Sequence, residues 1–388
     1  MNFSITIFYH KITGQSWLGG SHYFENLNKV VSDFFPELFF SGINLSFIPK
    51  IYPNRFGRIK IQLINKFNRY LFTNFRIDNN YSYLKKNQRG KNSCIYAVAV
   101  EHLLNVEGFP RIFWIPDFQV FHLSHFFEKN DINYRKKSYN EGCRIADMVV
   151  LSSKAAQNDL KQFYPNYLFK SRVLNFVVDI PSDIFLANPD YLISKYNLPK
   201  KFFFVPNQFW KHKNHMLIFS ALKKMVESIK DVHVVFSGSK EDLRNPDYYS
   251  EIIDFIEKSG ISENISLLGI IPKKDVLQLI RQSCAVINAS KFEGWSTTVE
   301  EVKSIGKRIL LSDIEVHREQ NPPYAYYFSC DDHCALSDLM KKVWCSSQPG
   351  PDYAMEQQAK ENLFSRKKRF ALEFKSIIED TILLFKKK

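Results

Sequence analysis

From end to end the sequence alternates short apolar runs with stretches of helical periodicity, and this restricts the fold more than any other feature. SITIFYH (4–10) and RIFWIPDF (111–118) read as strands and SHYFENLNKVVSDFF (21–35) as a helix. CIYAVAVEHLLN (94–105) reads as a helix or a strand plus helix, and EGCRIADMVVLSS (141–153) as a helix running into a strand. After Pro181 the pattern restarts with the strands KFFFVPNQFW (201–210), VHVVFSG (232–238), ISLLGII (265–271) and AVINAS (285–290). MLIFSALKKMVESI, YYSEIIDFIEKSG and KKDVLQLIRQS are the helices between them. Strands separated by helices pair in parallel, with helices covering the sheet. Two such runs predict an α/β protein of two Rossmann-like, doubly wound domains facing a cleft, over 1–180 and 190–365. NFVVDIPSDIFLANPDYLIS (175–194) breaks the alternation and marks the boundary.

The 388 residues suffice for two separate cores. The last stretch, 366–388, reads as an amphipathic helix able to pack on the first domain or lie on a membrane. Packing is favoured, because Phe370, Leu372, Phe374, Ile377, Ile378, Ile382 and Leu383 form a wider apolar stripe than a surface helix exposes.

No apolar run is long enough to span a membrane, and Met1-Asn2-Phe3-Ser4 lacks the charged start of a signal peptide. A cytoplasmic protein with reduced thiols is expected. The six cysteines (94, 143, 284, 330, 334, 345) are scattered, so no disulfide framework is suggested. Cys330, His333 and Cys334 offer part of a zinc site, but no second ligand pair stands at a usable spacing, and no metal is expected. The formal net charge of +13 is unevenly spread: between Lys50 and Lys91 eleven basic residues face one acid, Asp78, interleaved with eight Phe and Tyr. That mixture suits an anionic membrane surface, single-stranded nucleic acid, or simply a solvated basic face.

The richest stretch is SKFEGWSTTVEEVKSIGKRILLSD (290–313). Ser296, Thr297 and Thr298 are N-cap residues, and Thr297–Glu300 and Thr298–Glu301 both fit a capping box. A helix is expected from about 298 to a stop at Gly306, with Arg308–Leu311 as a buried strand. Helix N-termini bind anions. The pattern taken alone is also what an ordinary helix cap looks like.

Four more stretches stand at predicted strand ends. PNQFWKHKNH (206–215) brings Asn207, Gln208 and Lys213 before a helix, and a lysine there suits a diphosphate. VHVVFSG ends in Gly238, and LLGIIPKKD ends its strand with Gly269, shortly before Ile271. GQSWLGGSHYFENL sets Gly19 and Gly20 between the first strand and its helix, where small residues admit a phosphate or sugar against the main chain.

In order and spacing these elements resemble the GT-B retaining glycosyltransferases of family 4, the glycosyl transferases group 1. The match is strongest at Phe292-Glu293-Gly294, a second glutamate after seven intervening residues (Glu301), then Gly306-Lys307 and a strand ending in Ser312-Asp313. WIPDFQVFHLSHFF (114–127) resembles the first-domain segment beside the transferred sugar. The resemblance implies that Gly294, Trp295, Ser296 and Thr297 hold donor phosphates and that Glu301 binds the nucleotide ribose. Glu293 would face the transferred hexose, with Asp117 and one histidine from the first domain. His22, His122 and His125 are candidates, and His122 is preferred. Lys213, with Asn207 or Gln208, would neutralise the leaving diphosphate without a metal or other cofactor. An arginine is commoner in the family where Asn207 or Gln208 stands. The implied function is transfer of a hexose, mannose among the candidates, from a GDP- or UDP-sugar to a glycan or lipid-linked acceptor in surface polysaccharide synthesis. The implied place is the inner face of a membrane, with no nucleic-acid partner. A nucleic-acid binder using 50–91 and a catalytically silent scaffold are the rival readings.

Overall fold

The computed structural model describes residues 5–10, 18–43, 92–104, 106 and 108–387. The basic aromatic segment 50–91 and residues 11–17 lie outside the described residues.

Two parallel six-stranded sheets form the frame. The first holds β1 (Ile5–His10), β2 (Leu38–Ile43), β3 (Asn92–Ala97), β4 (Arg111–Ile115), β5 (Met148–Leu151) and β6 (Ser171–Val173), in the order β2-β1-β3-β4-β5-β6. The second holds β7 (Phe203–Val205), β8 (Val234–Phe236), β9 (Ile265–Leu267), β10 (Val286–Asn288), β11 (Ile309–Ser312) and β12 (Ala325–Phe328), in the order β12-β11-β10-β7-β8-β9. Most strands are buried on both faces, as parallel strands covered by helices must be. The strand order reverses between β7 and β10, and the crevice at such a switch point is where α/β sheets bind ligands.

Helices α1 (Leu18–Phe34), α2 (Lys129–Ile145) and α3 (Lys154–Phe163) belong with the first sheet. The second carries α4 (His215–Val226), α5 (Tyr248–Ser259), α6 (Lys273–Gln282), α7 (Thr297–Ile305), α8 (Glu315–Gln320) and α9 (His333–Ser346). The segment that breaks the alternation contains two helices of five and six residues, Ser182–Leu186 and Tyr191–Tyr196.

The last helix, α10 (Tyr353–Lys386), starts well before the expected residue 366 because Asp352 caps it by accepting from the Met355 N–H. Its N-terminal end is fixed to the second domain by the buried pair Arg281–Glu356, whose arginine also donates to the carbonyls of Ile184 and Ala187. Phe370, Ala371, Phe374, Ile377, Ile378 and Ile382 then join the core formed by α1, β1 and β3. Leu372 and Leu383, expected in the same stripe, are instead 48% and 55% exposed. A straight helix on this sheet buries one narrow face, and these two residues fall outside it.

Candidate active site

The site is built from loops leaving β7, β8 and β10 toward the first domain. After β7 a turn of 3-10 helix, Lys211–Lys213, ends at Asn214 in the left-handed region (φ 61), which turns the chain into α4. This aims Lys213 across the switch point, where its Nζ lies 2.6 Å from Glu293 Oε1. The same oxygen accepts from the Ser290 hydroxyl at 2.7 Å. Both side chains are largely buried, at 14% and 9% exposure. Burial tends to raise the Glu293 carboxyl, but Lys213, His317 and Ser290 outweigh it and hold it below its ordinary value.

The first domain closes over this pair. A β-carbon on Gly294 would meet the Pro116 carbonyl oxygen at 2.2 Å and Asp117 Cβ at 2.8 Å, so only glycine admits this approach. Asp117 thereby faces Glu293. Burial, with Glu293 adding to it, raises the Asp117 carboxyl, although the Gln119 N–H, Arg135 and Arg244 work the other way. Two facing carboxylates displaced in opposite directions are disposed to hold different protonation states. His122 Nε2 donates to Asp159 Oδ1 at 2.8 Å, and the ring lies against that of Phe292, 5.3 Å between centroids. Asp117, His122, Asp159, Glu293 and Gly294 line one cleft of about 170 Å³. The expected trio Glu293, Asp117 and His122 is thus brought together. His125 is exposed, and its ring lies against Phe126.

Helix α7 begins at Thr297, with Ser296 as its N-cap accepting from Val299 N–H. Neither expected capping box forms. Glu300 turns inward to Gln320, Lys303 and Arg366, while Glu301, in the second turn, pairs with Lys273. Apart from Lys303, on α7 itself, those partners lie on α6, α8 and α10, and pairing with them satisfies the buried carboxylates better than the local box would. Ser296 is held by Asn288 Nδ2 at 3.1 Å, and its N–H is spent on Gln320 Oε1 at 3.0 Å. The N–H groups of Thr297 and Thr298 meet no acceptor among the described residues. Trp295 does not face this end: its indole donates to the Phe176 carbonyl at 3.0 Å and packs on the first-domain core, so it ties the domains together.

The remaining donor candidates divide. Asn207 is buried at the α7 end, accepting from the Thr298 hydroxyl at 3.2 Å, while its Nδ2 has no partner. Gln208 turns the other way and accepts from Ser239 N–H at 2.7 Å. Gly238 (φ 149) and Gly269 (φ 67) meet through a Gly238 N–H to Gly269 carbonyl bond of 2.8 Å. A β-carbon on Gly238 would strike the Asn207 carbonyl oxygen at 2.4 Å. Ile271 packs on the second-domain core, and its neighbour Ile270, in the loop after β9, is 60% exposed. Gly19 and Gly20 lie inside the first turn of α1, which begins at Leu18, and not in the loop before it.

Three residues near this site escaped the sequence reading. Asp159 orients His122 from α3, Glu319 caps α3 across the domain interface by accepting from the Lys154 and Ala155 N–H groups, and His317 is fully buried beside Glu293. Nothing local marks them, since each acts only through a neighbour brought by the fold. Among the described residues no three His, Cys, Asp or Glu side chains converge as a metal site, Cys330, His333 and Cys334 included. No described helix is long and apolar enough to cross a membrane.

Residues 193–362 match the family described as glycosyl transferases group 1. No curated protein matches the sequence significantly. Solved structures resemble the whole chain. Anabaena Alr3699/HepE, solved with UDP and glucose, is 14% identical, with 96% of this chain and 98% of that one covered at a TM-score of 0.65. A glycosyltransferase from Rickettsia africae is 13% identical, with 98% and 99% covered at 0.63. Sucrose-phosphate synthase of Thermosynechococcus elongatus is 12% identical, with 99% and 98% covered at 0.62. At these identities the likeness establishes the fold. The chain has the GT-B fold, and its second domain is similar to the glycosyl transferases group 1 family over the residues matched.

Proposed function

We propose that the protein is a retaining glycosyltransferase moving a hexose from a nucleotide diphosphate sugar to a glycan or lipid-linked acceptor. The observation that carries this reading is the Lys213–Glu293 pair, held at the switch point with its two charges mostly desolvated. A buried ion pair that stands open to a cleft is a poor stabiliser but a ready site for an anionic ligand. The donor diphosphate takes Lys213, and the free N–H groups of Thr297 and Thr298 with the α7 dipole add to its binding. Glu293, released from the lysine, turns to the hexose. As the bond from the anomeric carbon to the phosphate oxygen breaks, the electron pair leaves with the nucleoside diphosphate, and Glu293 faces the positive charge left on the sugar. Asp117 and His122 meet the sugar and the acceptor from the first domain. Glu301, with Lys273 moved aside, accepts from the ribose hydroxyls. Lys213 and the helix terminus carry the role that a metal has elsewhere.

The nucleoside part is read as UDP or GDP, supported by the UDP bound in the Anabaena neighbour. The acceptor is read as a lipid-linked glycan at an anionic membrane surface on the strength of the basic aromatic sequence at 50–91. A thermal-shift series with UDP-glucose, UDP-N-acetylglucosamine and GDP-mannose tests the reading. One donor should raise the melting temperature in a concentration-dependent way and be consumed when acceptor lipid is added. No shift with any nucleotide sugar contradicts it.

A further inference from the structure

The family pattern places an arginine where this chain has Asn207 or Gln208, which leaves Lys213 as the only cation expected at the donor diphosphate. What Gln208 does instead is informative. Its side-chain oxygen holds the Ser239 N–H, and the Ser239 carbonyl accepts from the Phe209 N–H at 2.9 Å. Asp242 accepts from the Lys211 N–H at 3.0 Å and from the Arg244 N–H at 3.0 Å. The loop after β8 is therefore fastened at both ends to the loop that carries Lys213, and the residue it presents is Arg244.

Arg244 is 27% exposed and stands at the domain interface. Its guanidinium lies over the rings of Phe127, at 4.8 Å, and Trp210, at 5.8 Å, and donates to Gln119 Oε1 at 2.8 Å. Its one ion-pair contact among the described residues, to Asp242, is long at 3.8 Å. Asp242 has already spent itself on three backbone and amide donors. Gln119, which accepts from Arg244, gives its own N–H to Asp117 Oδ1 at 2.9 Å, so the guanidinium is linked through one residue to the cleft, and its charge helps to lower the Asp117 carboxyl. An arginine held by aromatic faces and one neutral amide keeps most of its five donors for another acceptor.

Building on the proposed function, we propose that Arg244 is the second cation for the donor diphosphate, delivered from the β8 loop in place of the arginine missing at 207 and 208. Gln208 is then the residue that positions this loop.

The test is calorimetric titration of UDP, GDP and the matching monophosphates into the full chain and into Arg244→Gln, Arg244→Lys and Gln119→Ala. The preference of the wild-type protein for diphosphate over monophosphate should fall about 10- to 100-fold in Arg244→Gln. Arg244→Lys should recover part of it. Gln119→Ala, which removes only the bond between domains, should keep it. The same preference in Arg244→Gln as in the wild type overturns this inference, and so does an equal loss in Gln119→Ala, which would make Arg244 a domain clasp. A wild-type protein that binds none of the four nucleotides overturns the proposed function along with it.

Discussion

Lys213 Nζ and Glu293 Oε1 are 2.6 Å apart across the point where the second sheet reverses its strand order, one delivered by the loop after β7 and the other by the loop after β10. Neither residue has another ion-pair partner among the described residues. In the proposed function this pair is the place where ligand binding and sugar chemistry meet.

Lys213→Ala removes the cation and leaves Glu293 buried without its partner. Nucleoside diphosphate binding, followed by calorimetry, should weaken by about 2–4 kcal/mol. Equal affinity in the mutant would mean that the lysine serves the carboxylate alone.

Glu301→Ala should weaken binding of the intact nucleotide and of the nucleoside by similar factors, about tenfold, because a ribose contact is indifferent to the phosphates. A 2′-deoxynucleotide should lose that difference between wild type and mutant. A mutant selective against the diphosphate alone would place Glu301 elsewhere.

Gly294→Ala tests domain closure. The new methyl group meets backbone at Pro116, which cannot swing aside, so the first domain must retreat from Asp117. A cost of about 1–3 kcal/mol is expected, as for overpacked cores, together with a loss of turnover greater than the loss of donor affinity. Small-angle scattering should detect the opened domains.

How far the sequence foretold this site follows from how local each signal was. Helix α7, its stop at Gly306 (φ 86) and strand β11 were readable because cap, periodicity and stop sit within some twenty residues. Lys213 and Glu293 were readable as types in a pattern. That they touch was not, since the contact spans two loops. The direction Gln208 takes was not readable, because it depends on the Ser239 N–H of another loop, and Arg244 was missed because only the fold brings it against Trp210 and Gln119. Trp295 went to the opposite domain for a similar reason: the Phe176 carbonyl that takes its N–H lies in another part of the sequence.

Acid sensitivity should come in part from buried histidines. His317, whose Nδ1 lies 2.9 Å from the Ser312 carbonyl, is pushed down to about 4 by burial, against the pull of Glu293. His215, stacked on Phe209, is pushed down to about 3 by burial. A folded value below the unfolded one means that the unfolded chain takes up the proton first. The stability of the neutral form is then complete above about pH 6.5 and is lost as pH falls through 4. His317→Gln should flatten that part of the melting-temperature profile. An unchanged profile would remove His317 from the account.

Glu293→Gln tests the central claim most directly, because it separates a carboxylate that faces developing charge from one that merely neutralises a lysine. Turnover should be measured with saturating donor on an extracted lipid-linked acceptor pool, beside donor affinity and melting temperature. The account predicts that kcat falls about 10²- to 10³-fold while the donor still binds and the fold is kept. A mutant that turns over at the wild-type rate, or one whose whole loss follows its melting temperature, would contradict it.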